Sequence, residues 1–185
     1  MTISAFFKPA SALIAVTAAA AVLLGYVHNV TLKPIAEQRQ IAETEAIGAI
    51  FGTAPDTAKE MSVPENSPIT RALRVYAGGA LLGYAVFTSP IGYSGPVSMV
   101  VGIDPAGAVK GVKILRHTET PGLGANADSP AFTDQFIGKS GELRVAKAES
   151  GGNDIQAISS ATITSGAVTR GVNDALRFCG QTVTD

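Results

Sequence analysis

Apolar positions along the chain fall into three patterns. The first is an unbroken run: Pro9 to Leu32 contains no Asp, Glu, Lys or Arg, and Ala10 to Val27 is almost wholly apolar or small. A bilayer core of about 30 Å takes about 20 such residues as a helix. The run therefore predicts one transmembrane helix over residues 10–30 behind a short tail at 1–9. A cleaved signal peptide is the rival reading, because Lys8 supplies a short basic region and Ala18, Ala19 and Ala20 a small-residue cleavage pattern. Against cleavage, apolar sequence continues through Val22, Leu23 and Leu24, and Tyr26 with His28 suits a membrane interface. The flanking cations, Lys8 before the run and Lys33 with Arg39 after it, do not discriminate orientation.

The second pattern has helical spacing. Pro34 suits a first helical turn, and Ile35, Ala42, Ala46 and Ile50 recur behind it. This predicts a juxtamembrane helix or stalk from about Pro34 to Phe51, within residues 31–52. Gly52 to Ser67, with Pro55 and Pro64, reads as a linker or surface loop, and residues 53–185 as one domain. The third pattern is that of strands: Ala72 to Tyr76, Leu81 to Phe87, Val97 to Ile103 and Val109 to Leu115. Gly78-Gly79 and Asp104-Pro105-Ala106-Gly107 between them are hairpin turn sequences, so the strands pair antiparallel. Helices over Pro130 to Ile137 and about Thr164 to Phe178 are predicted to cover the sheet, with a further short strand at Leu143 to Ala146. The fold class is α+β: a single N-terminal transmembrane helix followed by one domain with a largely antiparallel sheet covered by helices.

Composition narrows the chemistry. A single Cys among 185 residues excludes an intrachain disulfide, an iron–sulfur cluster and a Cys-rich zinc site, so any redox chemistry needs an organic cofactor or a partner's. A net charge of −1 from 14 basic and 15 acidic residues is not a nucleic-acid footprint. Charged residues make up 16%, against about 25% in typical soluble domains, and most of the deficit lies in the anchor. His117 stands alone in the domain without a ligand pair for a metal, and Cys179 sits on an apolar helical face beside Leu176, which is the setting of a core residue. Gly78, Gly79 and Gly83 lack the spacing of a dinucleotide or phosphate loop and read as turn and strand glycines.

Two segments hold candidate chemistry. His117-Thr118-Glu119-Thr120-Pro121-Gly122-Leu123-Gly124 follows a predicted strand. Its glycines would let backbone approach a flat ligand, with Leu123 against a ring face; an ordinary polar loop is the alternative. Gln156 to Ser165 carries five hydroxyls, Ser159, Ser160, Thr162, Thr164 and Ser165, directly ahead of a helix. Helix N-termini suit a phosphate. N-capping is the alternative, but one Ser or Thr suffices for that.

At these residues the sequence resembles the FMN-binding subunits RnfG and NqrC of ion-translocating respiratory complexes, in which FMN is joined by a phosphoester to a threonine. Ser159-Ser160-Ala161-Thr162 matches the family's Ser/Thr-Gly-Ala-Thr attachment pattern, with Ser160 in place of the usual Gly and Gln156 in place of the usual Asp. Thr31 to Glu37, Gly92-Tyr93-Ser94-Gly95-Pro96 and Glu119 to Gly124 also look like RnfG, whose short length fits this chain better than NqrC. The resemblance implies that residues 53–185 are an FMN-binding domain and that Thr162 carries FMN covalently. It places Ser159, Ser160, Ala161, Ile163 and Thr164 around the phosphoryl group, and Glu119, Thr120, Gly122, Leu123, Gly124 and Tyr93 at the ring.

The resemblance further implies an electron-transfer subunit of an ion-translocating ferredoxin:NAD oxidoreductase, in the bacterial inner membrane with its soluble domain on the extracytoplasmic side. Its partners would be RnfA, RnfB, RnfC, RnfD and RnfE, together with a flavin transferase that attaches the FMN. Two alternatives stay open: an NqrC-like subunit of a sodium-translocating quinone reductase, and a non-redox membrane-anchored binding or assembly module whose hydroxyl cluster only caps a helix.

Overall fold

The four strands predicted in the middle of the chain become, with one more, a five-stranded antiparallel meander. The computed structural model describes residues 4–147 and 151–182. Strands β1 (Thr57–Glu60), β2 (Ile69–Ala77), β3 (Ala80–Thr88), β4 (Ser98–Ile103) and β5 (Val109–Arg116) lie side by side in chain order. Gly78 and Gly79 both take positive φ, 58° and 79°, which a tight two-residue hairpin between β2 and β3 requires. At the β4–β5 turn, Asp104 Oδ1 accepts from the N–H groups of Ala106 and Ala108, closing the predicted Asp-Pro-Ala-Gly connection.

One face of the sheet packs on α3 (Thr162–Thr182). Val168, Val172, Ala175 and Cys179 recur on one helical face and meet Val86, Met99, Val101 and Ile103 in the main core. The predicted helix at Pro130 to Ile137 is two short pieces, α2 (Pro130–Thr133) and a 3-10 turn at Asp134–Phe136, whose Phe132 and Phe136 meet edge to face with ring centroids 5.5 Å apart. The expected short strand is β6 (Arg144–Ala146), paired in parallel with β7 (Asp154–Gln156) apart from the main sheet.

Three features differ from the sequence reading. First, α1 runs as one helix from Ser4 to Phe51, where the pattern predicts two with a new start at Pro34. Proline is tolerated at a helix start, but its signal does not by itself end the helix before it, and no Gly lies between Tyr26 and Gly48 to break the turn. Its apolar window, Ser11–His28, has a mean hydropathy of 1.8 and is exposed throughout, as a bilayer-facing helix requires; the chain is membrane-anchored.

Second, the end of α1 is not a free stalk. The folded unit begins at Ala42, and Ala46, Ile47, Ile50 and Phe51 cover the sheet's other face against Leu73, Val75, Ala85, Phe87 and Val100. Glycines make room there: a Cβ on Gly102 would overlap Ile50 Cγ2, one on Gly83 would stand 2.9 Å from Phe51 Cε1, and one on Gly111 would stand 3.4 Å from Ile50. The sheet is thus sandwiched, which explains why the last six residues of β3 are all buried. Arg71 joins this layer to the edge of the sheet, reaching Glu43 at 2.9 Å and Glu60 at 3.3 Å.

Third, the predicted linker at Gly52 to Ser67 contains a strand. β1 is exposed at all four positions, so no alternation announces it; it forms by pairing with β2, and Asp56 Oδ2 accepts the Gly78 N–H at 2.6 Å beside it.

Candidate functional site

Both segments singled out in the sequence converge on the N-terminal end of α3. They enclose a cavity of about 440 Å³, within the range of small-molecule and cofactor sites. One wall is Glu119, Thr120, Leu123 and Gly124; the other is Ser160 to Thr164; Tyr93 stands on the rim, 73% exposed. Of the residues expected at the site, Ser159 and Gly122 do not line it. Gly122 instead shapes the turn beneath Leu123, with φ +77° and its carbonyl accepting from Asn126 Nδ2.

The hydroxyl cluster divides its labour. Ser165 Oγ accepts the Ile158 N–H at 2.9 Å and donates to the Ala161 carbonyl at 3.0 Å, pinning the approach turn to the helix. Thr164 Oγ1 donates to Glu119 Oε2 at 2.7 Å, so its proton is engaged and is not available to an anion. Thr162 is exposed and is the first residue of α3, two positions earlier than the periodicity predicts. The residue before it is Ala161, which has no side-chain oxygen to cap with; its carbonyl accepts the first intrahelical bond, from Ser165 N–H at 3.0 Å. The first-turn N–H groups of α3 have no partner within the helix and lie at the end where Thr162 stands, the arrangement that favours an anion.

Ser160 sets the direction of that first turn. It has φ +62°, and no other described non-glycine residue has positive φ. The left-handed conformation is one that favours glycine, since a Cβ is disfavoured there.

Glu119 ties the walls together. It is 6% exposed; Oε1 accepts the Ser94 N–H at 2.9 Å and Oε2 the Thr164 hydroxyl, joining the 91–96 hairpin turn, the 119–124 loop and α3. Packing around the carboxylate is closed: a Cβ on Gly124 would overlap Oε2, and one on Gly92 would lie 2.5 Å from Oε1. Burial works to raise the Glu119 pKa, but the Ser94 N–H, the Thr164 hydroxyl, the Tyr93 N–H and the field of His117 outweigh it and hold the carboxyl below its ordinary value. The His117 ring also belongs to this network, its Nδ1 accepting the Glu119 N–H at 3.2 Å.

Sequence reasoning did not identify the residues that hold the Tyr93 turn. Thr118 Oγ1 donates to the Ser94 carbonyl at 3.3 Å, and Arg170, from α3, donates to the Ile91 carbonyl at 3.2 Å. Arg170 is 79 residues away in sequence, and nothing in a single chain signals such a pairing. Cys179 lies far along α3 in the core, where burial pushes its thiol up to about 12; it takes no part.

Comparison with known proteins shows the family of the chain. The FMN-binding domain family matches residues 92–177, which contain both walls of the cavity. The chain is 37% identical to the G subunit of the Na(+)-translocating ferredoxin:NAD(+) oxidoreductase complex of Acetobacterium woodii, over 92% of this chain and 90% of that protein. It is 30% identical to the G subunit of the ion-translocating oxidoreductase complex of Methanosarcina acetivorans, over 90% of each. Among solved structures, the C subunit of the Na(+)-translocating NADH-quinone reductase from Parabacteroides distasonis superposes with a TM-score of 0.53 at 25% identity, covering 62% of this chain and 63% of that one. NqrC of Shewanella oneidensis has the same fold, with a TM-score of 0.53 at 20% identity over 71% of this chain and 72% of that one.

Proposed function

The chain belongs to the family of G subunits of ion-translocating oxidoreductase complexes, as a membrane-anchored electron-transfer subunit with an FMN-binding domain, and from that premise we propose that FMN is held covalently through a phosphoester to Thr162. The observation that carries this reading is the position of Thr162: exposed, the first residue of α3, and in the lining of the cavity whose other wall is the 119–124 loop.

The residues present fit the group. The cavity has an apolar side chain on each wall, Leu123 and Ile163, and an open rim, which suits a flat ring with one edge toward solvent. The first-turn N–H groups of α3 face the single negative charge that a phosphodiester at Thr162 carries. The Ser159 and Ser160 hydroxyls, both exposed, are free of the constraint that binds Thr164 to Glu119 and can donate to the phosphoryl oxygens. FMN, when bound, supplies the capacity to accept and release electrons. The chain's residues would orient it and fix it in place.

Attachment needs no catalytic group in this chain. A flavin transferase joins Thr162 Oγ to the FMN phosphorus of FAD, the pyrophosphate bond breaks, AMP leaves, and the hydroxyl proton passes to the transferase. The electron donor and acceptor are then other subunits of the complex, RnfA to RnfE by family resemblance, with ferredoxin and NAD as the distant substrates and the soluble domain on the extracytoplasmic side of the membrane.

The test is direct. The full-length protein coexpressed with a flavin transferase should fluoresce under ultraviolet light in a denaturing gel and carry the added mass of FMN. Thr162→Ala should do neither. Fluorescence persisting in that variant overturns the site, and its absence from wild type overturns covalent attachment.

A further inference from the structure

We propose that Glu119 sets the electrostatic poise of the flavin site: a fixed negative charge in the cavity wall that opposes reduction of the bound FMN and so keeps its midpoint potential low. The inference rests on the reading of the cavity as the FMN site and concerns what this wall does to the cofactor.

The argument begins with the cost of the group. Glu119 is the one charged side chain among the residues that line the cavity, and it forms no ion pair with Lys or Arg among the described residues. Its charge is balanced by the Ser94 N–H on Oε1 and the Thr164 hydroxyl on Oε2, with the Tyr93 N–H and the field of His117 adding to them. Burying a carboxylate forfeits far more solvation than burying an amide.

Those hydrogen bonds do not require the charge. A glutamine at this position would accept the Ser94 N–H through its carbonyl oxygen. Its amide would donate to Thr164 Oγ1, because the threonine hydroxyl both donates and accepts. The clamp that joins the hairpin turn, the 119–124 loop and α3 is therefore available to a neutral isostere of the same length. What the carboxylate adds beyond the clamp is a fixed negative charge in the cavity wall.

The sign of that field follows from charge alone. Each electron that the FMN accepts adds one negative charge to the site until a proton from solvent compensates it. A fixed carboxylate on the wall raises the free energy of the electron-loaded site and leaves the oxidised, uncharged ring nearly unaffected. The first-turn N–H groups of α3 act on the phosphodiester at Thr162, which carries the same charge in every redox state. Glu119 is thus a positioning residue through its hydrogen bonds and a tuning residue through its charge.

The experiment is potentiometry on the full-length, flavin-loaded protein in detergent, comparing wild type with Glu119→Gln and Thr164→Val. The glutamine variant should keep its FMN and shift the reduction equilibrium about tenfold toward the reduced form, a rise of about 59 mV for one electron. Thr164→Val, which keeps the charge and removes one of the dipoles that balance it, should not raise the midpoint. Three results overturn the proposal: an unchanged midpoint in Glu119→Gln, an equal rise in both variants, or loss of FMN from Glu119→Gln. Wild type that binds no flavin overturns the functional reading and this inference together, whereas loaded wild type with equal midpoints overturns this inference alone.

Discussion

Thr164 Oγ1 donates to Glu119 Oε2 at 2.7 Å, a buried bond between residues 45 apart in the chain. It joins the first turn of α3 to the loop after β5, and the second carboxylate oxygen extends the link to Ser94 on the hairpin turn after β3. Three segments with no regular structure in common are thus held around one cavity by one side chain.

Replacing Glu119 by alanine leaves the Ser94 N–H and the Thr164 hydroxyl without their buried acceptor, and each unmade partner carries a desolvation penalty. The expected loss is about 2–4 kcal/mol of unfolding free energy. Urea unfolding of the two proteins at neutral pH checks it, and a loss below about 1 kcal/mol would mean that the clamp does not support the fold.

The same carboxyl imposes a pH dependence with a definite sign. Its pKa in the folded state lies below the ordinary 4.5, so the folded state binds fewer protons there than the unfolded chain does. The stability Glu119 contributes is fully present above pH 4.5 and is lost as pH falls from 4.5 through the depressed value. Unfolding midpoints measured at a series of pH values from 7 downward should show this decline in wild type and a shallower one in Glu119→Gln.

Ser160→Gly relieves a left-handed residue. With φ at +62°, the serine Cβ is disfavoured by about 1–2 kcal/mol, and part of the gain is returned because glycine is freer in the unfolded chain. A net stabilisation of about 0.5–1 kcal/mol is expected. Flavin loading in a fixed coexpression time should rise with it, because the approach to Thr162 then takes its turn without strain. A destabilised or less loaded variant would show that the Ser160 hydroxyl matters more than its backbone.

Much of this site was legible before the structure. The hydroxyl cluster and the Glu119 to Gly124 run each stood out as a local excess, of oxygens in one case and of glycines in the other, and the fold brings them to one cavity. The meander was legible because β2 to β5 are apolar runs separated by turn residues with special backbone needs. What the chain concealed depends on partners distant in sequence. β1 carries no apolar residue facing a core, Arg170 finds a carbonyl 79 positions away, and the packing of Ile50 and Phe51 on the sheet depends on glycines in three different strands.

Thr88→Val should stabilise the domain. Thr88 is 2% exposed and its Oγ1 has no hydrogen-bond partner among the described residues, so the hydroxyl is buried at a cost that a methyl group of similar size does not carry. A gain of about 1 kcal/mol in unfolding free energy is expected; a loss would mean that a bound water serves the hydroxyl.

The docking of the α1 end on the sheet can be tested by a double-mutant cycle. A Cβ on Gly102 would overlap Ile50 Cγ2, while the backbone of Gly102 lies in the ordinary strand region, so Gly102→Ala acts through sterics alone. Overpacking of this kind costs about 1–3 kcal/mol. Ile50→Ala by itself removes a half-buried side chain from the second apolar cluster and costs less than a full core deletion. In the double variant the new methyl group enters the space that Ile50 vacates, and the two losses should fall short of additivity by at least about 1 kcal/mol. Additive losses would show that Ile50 does not rest on Gly102, and the α1 end would then lie free of the sheet face.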